Sequence, residues 1–88
     1  MYVQLKIYSL TKMKIIDRRS PLPLYIQLKD ILLTELDDGL YPPGSLFPPE
    51  MTLVDQYGLS RATVRQAIKD LEHEGYISRI QGKGTIVI

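Results

Sequence analysis

The stretch Leu59-Ser60-Arg61-Ala62-Thr63-Val64-Arg65-Gln66-Ala67-Ile68 decides the fold. It reads as a tight turn, a capping serine, and a helix with two unlike faces. At about 100° per residue, Val64, Ala67, Ile68 and Leu71 fall on one side and predict a buried stripe. Ala62, Arg65, Gln66 and Lys69 fall on the other, with Arg61 and Thr63 on its flanks. The acids are held back to Asp70, Glu72 and Glu74, so the start of the helix is basic and amide-bearing. A helix whose first turns enter a DNA major groove needs that distribution. Arg61 and Arg65 are an i,i+4 like-charge pair, mildly unfavourable in an isolated helix. An acidic neighbour would relieve that cost on a plain solvated face; phosphates and bases would relieve it on a DNA-reading one.

Working outward, Gly58 and Ser60 bracket the turn, with Ser60 the expected N-cap. Before it, Phe47-Pro48-Pro49-Glu50 opens a short helix whose Leu53, Val54 and Tyr57 face the core. Helix, glycine-containing turn, helix is helix-turn-helix spacing. Earlier still, Pro21 and Pro23 prepare a longer helix. Leu24, Leu28, Ile31, Leu32 and Leu36 stripe it, and Gly39 stops it. Asp37 and Asp38 oppose the helix dipole there, without evident purpose. After Gly75 come two extended runs, Tyr76–Ile80 and Thr85–Ile88, joined by Gln81-Gly82-Lys83-Gly84. Two glycines flanking one lysine make a hairpin tip that approaches a backbone closely and presents one positive charge. The expected fold is mainly α with a small β-hairpin: a winged helix-turn-helix over residues 21–88. Residues 1–20 read as an N-terminal extension, with a weak strand signal at Val3, Leu5 and Ile7 and a basic run at Lys12, Lys14, Arg18 and Arg19.

Bulk properties agree. Eighty-eight residues allow one small core, burying about 60–65% of the unfolded surface. The formal charge of +1 says little by itself. The distribution says more: Arg61, Arg65, Lys69, Arg79 and Lys83 gather between Arg61 and Gly84. The absence of cysteine excludes disulfides and thiolate metal sites. No apolar run approaches the roughly 18 residues of a membrane span, and no signal peptide is evident, so a cytoplasmic location is expected. The single histidine, His73, has no second ligand at metal spacing. No acid/base pair, nucleophile motif or phosphate loop is visible; Gly82-Lys83-Gly84 lacks the Ser/Thr helix a phosphate loop requires. The expectation is a non-enzyme without cofactor. Tyr25, Tyr57 and Tyr76 are expected in the core or at its rim.

Several motifs occur in order: Pro23-Leu24-Tyr25-x-Gln27-Leu28, Gly39-x-x-x-Pro43-Gly44, Pro48-x-Glu50, Ser60-Arg61-x-Thr63-Val64-Arg65-x-Ala67, Leu71-x-x-x-Gly75 and Gly82-x-Gly84-Thr85. Together they resemble the N-terminal DNA-binding domain of GntR-type bacterial transcriptional regulators, the HutC branch most of all, over about residues 15–88. The resemblance implies that Arg65 reads a guanine, that Arg61 contacts DNA near the helix start, and that Thr63 contacts backbone. It also implies that Gly82 and Lys83 enter the minor groove. An arginine fork pairing with guanine O6 and N7 discriminates roughly ten- to a hundredfold, whereas a lysine at a hairpin tip adds salt-sensitive, sequence-indifferent attraction. On the residues themselves, Gln66 suits bidentate adenine recognition, Lys69 a phosphate, and Ala62 close seating or a thymine methyl.

The pattern departs from the family at two places. Phe47-Pro48-Pro49-Glu50-Met51 stands where Leu-Pro-Ser-Glu-Arg is usual, losing a helix cap and an arginine that contacts DNA in some relatives; Pro49 is expected to compensate by fixing the first-turn φ. Family members also continue into a C-terminal domain that binds an effector and dimerises, to which nothing in these residues corresponds. The partner implied is double-stranded DNA carrying a palindromic operator, bound by a homodimer that is weak for this chain alone. A winged helix serving only protein interaction is the alternative, and the Arg61–Arg65–Lys69 stripe speaks against it.

Overall fold

The computed structural model describes residues 15–88. The strand signal at Val3, Leu5 and Ile7 and the cations Lys12 and Lys14 lie outside the described residues. Three helices lead into a hairpin: α1 (Leu24–Asp37), α2 (Glu50–Tyr57), α3 (Arg61–His73), β1 (Ile77–Ile80) and β2 (Gly84–Val87). The winged helix-turn-helix read from the sequence is the fold.

Helix α3 is the centre, because α1, α2 and β1 all pack against it. Its stripe of Val64, Ala67, Ile68 and Leu71 is buried as the periodicity requires. Leu28 and Leu32 of α1, Leu53 of α2, and Ile77 and Val87 of the hairpin close the core around it. Phe47 joins them, its ring meeting Tyr41 edge-on at a centroid distance of 5.3 Å. Tyr25 and Tyr57 pack half-buried against this core, whereas Tyr76, expected there or at the rim, is exposed at the end of α3.

The turn between α2 and α3 sets the angle at which α3 leaves the body. Gly58 ends α2 in the left-handed conformation, φ +65° and ψ 34°, which costs a residue with a Cβ about 1–2 kcal/mol and glycine little. Two residues on, Ser60 stops the chain from fraying. Its Oγ accepts the Thr63 N–H at 3.1 Å and donates to Thr63 Oγ1 at 2.8 Å.

The start of α2 differs in detail from expectation. Pro49 is the N-cap itself (φ −64°), not the first helical residue, and supplies no side-chain cap. Its carbonyl accepts the Leu53 N–H at 3.3 Å, and Glu50 takes the first helical position. A carboxylate there favours the positive end of the helix dipole, which offsets the lost serine.

In the hairpin, Ile77 pairs with Val87 and Ile80 with Gly84. Gly84 is therefore part of β2, and the tip is the three residues Gln81-Gly82-Lys83, closed by Lys83 N–H donating to Ile80 at 3.0 Å. The chain entering α2 runs beside β2: Phe47 N–H donates to Thr85 and Val87 N–H to Ser45, at 2.8 and 2.9 Å. At the other end, buried Gln27 holds the lead-in to α1. Its amide donates to the carbonyls of Asp17 and Leu22 and accepts the Asp17 N–H, at 3.0, 2.8 and 2.8 Å.

Candidate nucleic-acid interface

Burying Val64, Ala67, Ile68 and Leu71 fixes the rotation of α3 about its axis and turns the other residues outward. Arg61, Ala62, Arg65, Gln66 and Lys69 are all exposed on one face, with Thr63 half-buried at its edge. Gly82 and Lys83 are exposed at the hairpin tip. The structure thus brings the candidates into two groups: a helix face and a wing tip.

The acid partner weighed against DNA contact for the two arginines exists, and it comes from another element. Glu50, at the start of α2, receives Arg65 in a two-bond fork, Nε to Oε2 at 3.1 Å and Nη2 to Oε1 at 3.0 Å. Arg61 adds an ion pair, Nε 3.7 Å from Oε1. The Arg65 hydrogen bonds hold the Glu50 carboxyl below the usual carboxylate range, with the charges of Arg61 and Arg79 adding to the effect. Both arginine side chains remain about two-thirds exposed, so the pairs add little to stability. Their consequence is geometric. Glu50 occupies the Nε–Nη2 edge of the Arg65 guanidinium and leaves the Nη1–Nη2 edge free. A guanidinium has five donors in a fixed plane, so one edge can be anchored while the other pairs with a base.

Gln66 is tied to its own helix, donating to Asp70 Oδ1 at 2.8 Å. That leaves its amide oxygen and one N–H, the pair needed for a bidentate adenine contact. The Thr63 hydroxyl already accepts from Ser60, so its own proton is available to a phosphate oxygen. Among the described residues, the side chains of Lys69 and Lys83 carry no ion pair or hydrogen bond. Arg18, in the basic run before α1, donates to the Gly58 carbonyl at 2.5 Å and so braces the helix-turn-helix corner.

Glu50 is the residue of this candidate site whose pairing the sequence did not reveal. Its visible signal was Pro48-x-Glu50, which explains a carboxylate at a helix start and nothing about arginines further along the chain.

A family model described as bacterial regulatory proteins, gntR family, matches residues 24–87. Curated relatives agree with it. An uncharacterized HTH-type transcriptional regulator, YurK of Bacillus subtilis, is 52% identical over 68 residues, 77% of this chain and 28% of its own length. The HTH-type transcriptional repressor NagR of the same organism is 40% identical over 72 residues, covering 82% and 30%. The histidine utilization repressor of Pseudomonas putida is 39% identical over 67 residues, covering 76% and 27%. The chain therefore spans under a third of the length of these relatives. Among solved structures, AraR(DBD) in complex with operator ORE1 is similar at TM-score 0.73 and 36% identity, over 82% of this chain and 88% of that one. The complex with operator ORX1 gives 0.76 and 34%, over 85% and 96%.

Proposed function

The chain belongs to the gntR family of bacterial regulatory proteins, and from that premise we propose that it binds double-stranded DNA sequence-specifically as the reading domain of a transcriptional repressor. The observation that carries this is the outward face of α3, where Arg65 keeps one donor edge free while Glu50 anchors the other. In this reading α3 lies in the major groove. Arg65 pairs with a guanine, Gln66 with an adjacent adenine, and Ala62 allows close approach to the base edges. Arg61, Thr63 and Lys69 hold the flanking phosphates, while Gly82 and Lys83 enter the neighbouring minor groove. Support comes from the relatives named as repressors and from AraR(DBD), solved on operator DNA.

Two copies on a palindromic operator would place their α3 helices about 34–36 Å apart. One domain of this size offers few contacts by itself, so the single chain binds weakly and pairs on DNA. Among the described residues no helix is long and apolar enough to cross a membrane, and a DNA reader works in the cytoplasm.

Fluorescence anisotropy on duplexes selected from a random pool, at two salt concentrations, tests the reading. Selective, salt-sensitive binding is expected, with the base preference lost in Arg65→Ala by roughly ten- to a hundredfold. No enrichment of any duplex, with parent and variant alike, would sink it.

A further inference from the structure

A cleft of about 240 Å³ opens between α3 and β1, lined by Arg65, Ile68, Lys69, Glu72 and Arg79. Ile68 is buried and closes its floor. Three cations face one carboxylate, and Glu72 Oε2 is already engaged by the Arg79 N–H at 3.0 Å. Glu50, the other carboxylate acting on Arg79, has both oxygens committed to Arg65. With Arg65 paired to Glu50, Lys69 and Arg79 face Glu72 alone, and the cleft keeps a positive surplus.

Its position matters more than its charge. Arg79 stands two residues after buried Ile77 on β1 and so shares its face, the side of the hairpin that faces α3. If α3 occupies a major groove and the wing tip the adjacent minor groove, one sugar-phosphate strand must pass between them. The space between α3 and β1 is where it passes.

We propose that this cleft seats a backbone phosphate of the bound DNA, held by Arg79 from the wing and Lys69 from the helix. The inference rests on the DNA-binding reading and adds to it a residue, Arg79, that couples the two groove contacts. A wing held only at its tip would pivot about the hairpin, whereas a phosphate clamped between wing and helix fixes the angle between them.

The test is the salt dependence of anisotropy on the selected duplex, for the parent, Arg79→Ala and Arg79→Lys. Arg79 is exposed, and circular dichroism melting verifies that each variant keeps its fold. Losing one phosphate contact lowers the slope of log K against log salt by about 1. Affinity should fall equally on selected and unselected duplexes, leaving discrimination unchanged, and Arg79→Lys should restore the slope. Neutral methylphosphonates introduced one at a time should weaken the parent at one position per half-site and leave Arg79→Ala indifferent there. An unchanged slope in Arg79→Ala overturns the proposal, as does a loss of base preference at constant slope. Inorganic phosphate at fixed ionic strength separates the sources: protection of the parent but not of Arg79→Ala against melting, with equal DNA slopes, would make the cleft a free-anion site instead. A parent that binds no duplex overturns both readings; one that reads its duplex with the Arg79→Ala slope unchanged overturns this one alone.

Discussion

Arg65 shows how much a single ion pair can do without adding stability. Its fork on Glu50 is exposed and contributes little to folding, yet it removes rotamer freedom that a free arginine would lose on meeting a base. Glu50→Gln keeps the shape and removes the charge that anchors the fork. Nonspecific affinity should rise, because one negative charge leaves a phosphate-facing surface. The ratio of selected to unselected binding should fall, because Arg65 is no longer held. Anisotropy on both duplexes reads the two effects separately; a rise in both affinities by the same factor would mean Glu50 only repels. Acidification acts in the same direction. A carboxylate held low stays ionised above its ordinary pKa, and its anchoring is lost as pH falls through the lowered folded value. The pairing was invisible in the sequence because it depends on where α2 starts relative to the second turn of α3, which only packing sets.

The corner between α2 and α3 is the element on which the presentation of that face depends. Its two devices, Gly58 in the left-handed region and the Ser60 cap, were both legible from residue type and spacing. No atom lies within 4 Å of a Cβ built at Gly58, so Gly58→Ala carries a backbone cost alone, about 1–2 kcal/mol. Ser60→Ala should cost about 1 kcal/mol, through the unpaired Thr63 N–H. Urea unfolding of both variants checks this. A Gly58→Ala loss well beyond that range would mean the corner itself shifts and Arg18 loses its carbonyl. The wing was less legible. Gln81-Gly82-Lys83-Gly84 permits either a four-residue or a three-residue tip, and the choice went to the one that lets Phe47 and Val87 exchange hydrogen bonds with the neighbouring segments. That preference belongs to residues nearly forty positions away.

At the scale of the whole molecule, besides the buried amide of Gln27, a carboxyl group is set into the apolar stripe of α1. Glu35 follows Leu28, Ile31 and Leu32 around α1, and its Oε1 is buried without a partner among the described residues. Burial raises its carboxyl above the ordinary range, opposed by a hydrogen bond from Tyr57. Burial and the nearby Glu35 charge in turn push the Tyr57 phenol up to about 12. The sign follows from which form the fold prefers. A carboxyl raised in the folded state stabilises most below its unfolded pKa, and that advantage is lost as pH rises through the folded value. Stability should therefore decline from about pH 4.5 upward in the parent. Glu35→Gln, which still accepts from Tyr57, should flatten that decline and be the more stable protein at neutral pH. Thermal melts from pH 4 to 8 decide it; parallel curves for the two proteins would show that Glu35 ionises unhindered.

What the sequence determined by itself was local and periodic. The stripe of α3, the capping serine, the glycine that ends α2 and the glycine-lysine tip follow from residue type at fixed spacing, since helix and strand periods are properties of the backbone. Those features were enough to name the fold and the face that would meet DNA. Tertiary structure alone decided which charges meet: Glu50 under Arg65, Arg18 on Gly58, Glu35 beside Tyr57, and Arg79 across from Lys69. Each pair joins residues on different elements, and the distance between them is fixed by how the side chains of the core fill space, which no period along the chain records.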